Sequence, residues 1–255
     1  MNEIETAKLA CIKAGEIAMK YFRTGIEAGY KGDHDIVTKA DVECEKKIKA
    51  VIANDYPAHG FLGEEEGGSG DQNNLWVIDP IDGTTNFFHG VDQFAVSVAF
   101  VKNGKVACGC VYSPVHKNLY YAQVGKGAWL NKNKIRVSKT FELSSSLLVS
   151  GFPRGAPDLE DKTLKSLATL HPKCHDIRRF GSASMDMCYV AQGICDGFFE
   201  YTLHPWDIAA AMLIVREAGG QVTDINGNEA EINSGHFLAT NKILHEQILE
   251  NLERV

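Results

Sequence analysis

Apolar residues recur every three or four positions at the start of the chain: Ile4, Ala7, Cys11, Ala14, Ala18 and Tyr21. That spacing puts them on one face of an amphipathic helix, which Gly25 and Gly29 are expected to stop. A polar stretch follows, Lys31-Gly32-Asp33-His34-Asp35, and reads as a mobile loop. A second helix is predicted over 39–54, with Ile48, Val51 and Ile52 inward and Pro57 ending it. From Leu75 to Val124 the pattern changes to that of strands. Leu75-Trp76-Val77-Ile78 is a buried run, and 94–101 is almost continuously apolar. The turn Lys102-Asn103-Gly104-Lys105 then reverses the chain, and 106–112 returns as a hairpin partner. Leu119-Tyr120-Tyr121-Ala122 is a further strand, and Asn131-Lys132-Asn133-Lys134 a turn.

The second half alternates. Strands are predicted at 147–150, 177–179, 197–200, 221–224 and 236–239, and helices at 159–170, 183–192, 207–218 and 242–252. No repeat or low-complexity linker divides the chain. A boundary near residue 140 separates an N-terminal α+β half (1–140) from a C-terminal α/β half (141–255), and the halves are expected to share a cleft. Sheets layered with helices are the architecture that these elements support.

Composition narrows the functional classes. The chain has 255 residues, 44% hydrophobic and 23% charged, which excludes a disordered tail, a collagen or a disulfide miniprotein. No apolar run approaches the ~20 residues needed to span a bilayer. Acids stand near the N-terminus where a signal peptide would carry Lys or Arg, so a soluble, cytoplasmic protein without a membrane partner is expected. The formal net charge of -7 disfavours nucleic acid as a partner. The 7 cysteines are odd in number and form no CxxC pair, so buried, reduced thiols are expected. Cys108 and Cys110 would share one face of a strand.

The chemistry concentrates in Trp76-Val77-Ile78-Asp79-Pro80-Ile81-Asp82-Gly83-Thr84-Thr85-Asn86. A buried strand delivers Asp79 at its end, and Pro80 keeps Asp79 extended. Asp82 follows three residues later across a tight turn. Gly83 lets a ligand approach the backbone, and Thr84 and Thr85 suit the first turn of a helix, whose free N–H groups favour an anion. A lone D-x-x-D would read as a capped turn with solvated acids. With Gly-Thr-Thr attached, hard oxygen ligands sit beside a phosphate cradle, a pairing that suits Mg²⁺. Gly63-Glu64-Glu65-Glu66-Gly67-Gly68 would alone be a solvated acidic loop, but its place shortly before the Asp79 strand makes a shared site possible. In Pro205-Trp206-Asp207-Ile208-Ala209-Ala210, Asp207 is either a helix cap or a ligand, and the sequence leaves both open.

These stretches resemble the signature motifs of the inositol monophosphatase family, within the Mg²⁺-dependent, lithium-sensitive sugar phosphatases. The resemblance extends to Asp35-Ile36-Val37-Thr38-Lys39-Ala40-Asp41, Arg178-Arg179-Phe180-Gly181-Ser182-Ala183 and Glu217-Ala218-Gly219-Gly220. It implies a layered α-β-α-β-α sandwich, a homodimer and two to three Mg²⁺ ions. Glu64, Asp79 and the Ile81 carbonyl would hold the first ion. Asp79, Asp82 and Asp207 would hold the second, and Glu64 would face a third. Glu64 and Thr84 would orient the attacking water, and the Gly83 and Thr84 N–H groups would hold the phosphate. Gly181, Ser182, Ala183 and Glu200 would line the substrate alcohol, and Lys31 matches a lysine of the family's mobile loop. The charges agree with this: four clustered acids would repel a phosphate monoester unless cations balanced them.

The implied activity is hydrolysis of a phosphate monoester, myo-inositol monophosphate first, by in-line attack of a metal-activated water. Fructose 1,6-bisphosphate is the alternative, with Arg178 as a candidate for its second phosphate. A reading of another class is a partner protein for RNA polymerase or ribosome assembly.

Overall fold

The structure, a computed structural model, describes the chain apart from residues 26, 31–35 and 154. Lys31 and the polar loop of the sequence reading therefore lie outside the described residues. The chain opens with α1 (Glu3–Tyr21), the short pair β1 (Ala28–Tyr30) and β2 (Ile36–Thr38), and α2 (Lys39–Asp55). Strands β3 (Gly60–Gly63), β4 (Gly67–Ser69) and β5 (Asn74–Asp82) lead to the one-turn helix α3 (Thr84–His89). Next come β6 (Ala95–Lys102), β7 (Lys105–Ser113), β8 (Asn118–Gln123), β9 (Ala128–Leu130) and β10 (Asn133–Ile135). The remainder is β11 (Leu147–Ser150), α4 (Pro157–Leu170), β12 (Asp176–Arg178), α5 (Ala183–Gln192), β13 (Gly197–Glu200) and α6 (Pro205–Glu217). It closes with β14 (Gln221–Thr223), β15 (Phe237–Thr240) and α7 (His245–Leu249).

Two main sheets result. One has eight strands in the order β10-β9-β8-β7-β6-β5-β3-β4, the other five in the order β12-β11-β13-β15-β14. Period-two alternation sorts the side chains into layers. Trp76 and Ile78 face the layer of α1 and α2, together with Cys11, Cys44, Ile48 and Cys110. Leu75 and Val77 face the opposite layer, where α5 and α6 lie between the two sheets. Phe198 enters that middle layer, while its neighbour Phe199 packs outward with Leu170, Leu238 and Ile248 of the α4–α7 layer. The stack is thus the expected α-β-α-β-α sandwich, and six of the seven cysteines are buried thiols. The middle layer is tight enough that a Cβ on Gly109 would lie 2.6 Å from the Ala210 backbone. This explains the run Ala209-Ala210-Ala211 on α6. No described helix is long and apolar enough to cross a membrane.

Several boundaries differ from expectation for local reasons. Helix α1 ends at Tyr21, well before Gly25, because Arg23 already adopts a positive φ of 61°. Helix α6 starts at Pro205, ahead of the predicted 207, because proline suits the first helical position. The predicted helix 242–252 shrinks to α7. Lys242 has φ 72°, and the Asn241 side chain bonds to Ser138, Thr140 and the Leu244 N–H, so no helix can begin upstream. The predicted turn at 131–134 is the tip of a small hairpin, β9–β10.

Candidate active site

Strand β5 carries the site because its two neighbours let go of it at different points. Parallel β3 pairs with it only as far as Gly63 opposite Ile78, so Asp79 lies just past that ladder. Pro80, which cannot donate, falls where no partner needs its N–H. On the other side the register to β6 jumps between Asp79 and Asp82, a bulge that re-aims the strand end. Gly83 then takes φ 90° at the start of α3. A Cβ there would meet the carbonyls of Gly181 at 3.0 Å and Gln93 at 3.1 Å, so only glycine fits.

Around this turn the acids gather. The Glu64 N–H donates to the Ile78 carbonyl at 3.2 Å, which sets Glu64 beside Asp79 at the ends of adjacent strands. Asp79 is 2% exposed, and its Oδ1 is buried without a hydrogen-bond partner. Burial pushes its carboxyl well above the usual range, and the charges of Glu64, Asp82, Asp207 and Asp41 push it further. Asp82 is buried as well but richly solvated by protein. Its Oδ2 accepts from Ser182 Oγ (2.6 Å), Ser184 N (2.7 Å) and Ser184 Oγ (2.5 Å), and Oδ1 accepts from Ala183 N (3.2 Å). Burial still raises it to about 6, with the serine hydrogen bonds opposing.

Asp207 sits in the first turn of α6, and its Oδ2 accepts from the His204 N–H at 2.7 Å. It is therefore a cap, and its charge also bears on Asp79, Asp82 and Glu200. Thr84 Oγ1 donates to the Ile81 carbonyl at 2.9 Å and lies 3.4 Å from Asp41 Oδ1. Glu200, at the end of β13, is half-buried as a residue, but its carboxylate packs against Gly151, where a Cβ would collide with it. Burial raises it to about 8, helped by Asp207 and Asp82 and opposed by Arg179.

The sequence-predicted residues Glu64, Asp79, Ile81, Asp82, Gly83, Thr84, Gly181, Ser182, Ala183, Glu200 and Asp207 thus surround one region. Ser182 and Ala183 spend a hydroxyl and an N–H on Asp82. The Arg178 guanidinium is tied to Asp176 at 2.5 Å and to the Ile177 carbonyl at 3.1 Å. The neighbouring Arg179 is the arginine whose charge reaches Glu200 and Asp186. Both arginines line a cavity of about 440 Å³ with Ser150 and Phe152.

Sequence reasoning gave no role to Asp41, Ser184 or Asp186. Asp41 was legible as the acid of a capping box: the Thr38 N–H and hydroxyl donate to its Oδ2 at 2.7 and 2.6 Å. Burial raises Asp41 to about 6. Asp186 has no such local signal. Burial pushes it well up, and its Oδ1 is unpartnered.

Among the described residues, no three His, Cys, Asp or Glu side chains stand in a ready ligand arrangement. The reason is visible in the donors: Asp82 and Asp207 each turn oxygens to nearby N–H and O–H groups. The donor set still fits a hard divalent cation, because carboxylates and a carbonyl are all oxygen ligands and Asp79 Oδ1 is buried with nothing to satisfy it.

A sequence profile described as the inositol monophosphatase family matches residues 2–255. The chain belongs to that family. Among relatives, the "Nus factor SuhB" of Escherichia coli K12 is 40% identical over 253 residues, covering 98% of this chain and 95% of that protein. An "Inositol-1-monophosphatase" of Caulobacter vibrioides is 38% identical over 234 residues, covering 90% and 91%. Among solved structures, the extragenic suppressor protein suhB from Bartonella henselae superposes with TM-score 0.94 at 35% identity, covering 98% of both chains. An IMPase of Thermotoga maritima superposes with TM-score 0.91 at 35% identity, covering 98% of this chain and 96% of that one. The inositol monophosphatase fold carries the site described above.

Proposed function

We propose that this inositol monophosphatase family member is a Mg²⁺-dependent phosphate monoester hydrolase acting on myo-inositol monophosphate. The observation that carries the reading is Asp79, a buried acid with an orphaned oxygen, whose carboxyl is pushed well above its usual range by burial and by the charges of Glu64, Asp82, Asp207 and Asp41. Such a cluster is costly unless cations enter it. Glu64, Asp79 and the Ile81 carbonyl would hold one Mg²⁺, and Asp79, Asp82 and Asp207 a second. When bound, the ions neutralise the phosphate and make water acidic enough to react near neutral pH.

This chain's own groups do the rest. Gly83 and Thr84 offer backbone N–H groups to phosphate oxygens with no Cβ in the way. Thr84 Oγ1 can accept a proton from the attacking water as it passes its own to Asp41 Oδ1, 3.4 Å away. Asp41, raised to about 6, is suited to hold that proton. Glu200 faces the same cleft and would accept hydrogen bonds from ring hydroxyls.

The test is phosphate release from inositol monophosphate, fructose 1,6-bisphosphate, nucleotide 2′-phosphates and phosphoadenosine phosphate, with Mg²⁺ or with EDTA. Inositol monophosphate should be cleaved at least as well as fructose 1,6-bisphosphate, and EDTA should abolish turnover. Glu200→Gln should lower kcat/KM for the inositol ester more than for the bisphosphate. Full turnover in EDTA would end the metal reading, and a fixed substrate ratio would end the role of Glu200.

The name "Nus factor" on relatives 40% identical supports a second reading, in which the chain also binds a transcription or ribosome-assembly partner. A pull-down with purified RNA polymerase, using wild type and a catalytically dead variant, separates the two.

A further inference from the structure

Helix α2 presents a stripe of charged residues at four-residue spacing, Asp41, Glu45 and Lys49. Residues four apart lie on one helical face. Asp41 reaches Thr84. Glu45 does something different. It is 0% exposed, and both of its carboxylate oxygens are engaged. Oε2 accepts from the Glu65 N–H at 2.9 Å, and Oε1 accepts from the Glu66 N–H at 3.1 Å. Lys49 Nζ lies 2.7 Å from Oε1 and also 2.9 Å from Glu66 Oε2. The strand side is closed by Gly63, where a Cβ would collide with the Glu45 carboxylate.

We infer that Glu45 is a positioning residue for Glu64. The Glu64 N–H anchors the start of the turn between β3 and β4 on Ile78, and Gly67, at φ 69°, closes it. The two N–H groups that follow Glu64 both donate to one buried carboxylate on another helix. A carboxylate accepting two adjacent N–H groups is a charge-assisted clamp on the backbone. Holding residues 65 and 66 fixes the backbone that aims the Glu64 side chain toward Asp79. Gly63 leaves room for the clamp, and Lys49 compensates its charge so that it can be buried. The inference rests on the proposed role of Glu64 as a Mg²⁺ ligand and extends it by one shell.

The test compares wild type with Glu45→Gln and Glu45→Asp. Gln keeps the shape but turns an amide donor toward one of the two N–H groups. Asp keeps the charge but withdraws it by one methylene. Mg²⁺ alone is titrated by calorimetry, kcat and KM are measured with inositol monophosphate, and Tm is recorded for each. Glu45→Gln should weaken Mg²⁺ binding and lower kcat by roughly 10- to 100-fold with KM little changed. Glu45→Asp should fall between it and wild type. A merely structural role would lower Tm and leave Mg²⁺ affinity and kcat of the folded protein at wild-type values, which would overturn the inference. If Glu45→Gln does not fold, Glu45→Asp decides in the same way. Wild type that binds no Mg²⁺ would instead overturn the proposed function itself, so the two failures are distinguishable.

Discussion

The two aspartates of the β5 turn stand three residues apart and are both buried, yet they live in opposite surroundings. Asp79 lies just past the end of the β3 ladder, while β6 still pairs with it at Ser97, and it meets other acids and no donor for Oδ1. Asp82 lies across the bulge against the start of α5, where two hydroxyls and two N–H groups surround it. Strand ends bring side chains together without donors, whereas helix starts bring unpaired N–H groups with them. The β5 end therefore supplies demand for a cation, and the α5 start supplies a fixed scaffold for one acid.

Replacing each aspartate by asparagine tests this contrast most strongly. Both variants should lose activity by more than about a hundredfold. Their effects on the metal-free protein should have opposite signs. Asp79→Asn removes a repelled acid and should raise stability by ~1 kcal/mol, a Tm gain of roughly 2–4 °C for a chain of this size. Asp82→Asn sets an amide against Ser182 and Ser184 donors and should cost about 2–3 kcal/mol, the value of hydrogen bonds to a charged group. Thermal melts in EDTA decide. Equal shifts for the two variants would mean that the donors do not distinguish them.

The next largest effect concerns pH. The folded-state values of Asp82 (about 6) and Glu200 (about 8) are raised above the ordinary 3.8 and 4.5. The folded protein then holds protons that the unfolded chain has lost, so metal-free stability falls as pH rises through this window. For Asp82 alone the displacement corresponds to about 3 kcal/mol between pH 4 and 7. Melts at pH 5 and pH 8 in EDTA should show the lower Tm at pH 8, and saturating Mg²⁺ should restore it there by replacing protons with cations. A metal-free Tm that rises over the same interval would refute the assignment.

The same contrast explains what was legible in the sequence. Local rules sufficed for the β5 turn: Pro80 keeps Asp79 extended, Gly83 opens the backbone to a ligand and Thr84 suits a helix start. Sheets layered with helices followed from the order of the elements, and the five-layer stack from the family resemblance. What was missed depends on contacts between distant segments. Ser184 and Asp186 belong to a helix that meets β5 about a hundred residues away in sequence, as the Ser184–Asp82 pair shows. Arg178 alone was offered as a candidate; that the charge of Arg179, just past the end of β12, reaches Glu200 depends on contacts between distant segments. The shortened α7 depended on Asn241 reaching back to Ser138 and Thr140. No pattern within the predicted 242–252 signals it.

The smallest effect isolates one hydroxyl of the donor-rich side. Ser184 gives Asp82 Oδ2 both its N–H and its Oγ–H, and Ser182 gives a third bond to the same oxygen. A carboxylate oxygen with three donors has little electron density left for a cation. Ser184→Ala removes one donor and leaves the N–H and the Ser182 hydroxyl in place. Because Asp82 stays fixed, stability should change by less than ~1 kcal/mol. Mg²⁺ should bind two- to threefold more tightly, which is roughly 0.4–0.7 kcal/mol, since it no longer competes with that hydroxyl. Calorimetric titration with Mg²⁺ alone reads this directly. Weaker binding in Ser184→Ala would show that the hydroxyl holds Asp82 in its ligating pose, and the α5 start would then serve the cation more than compete with it.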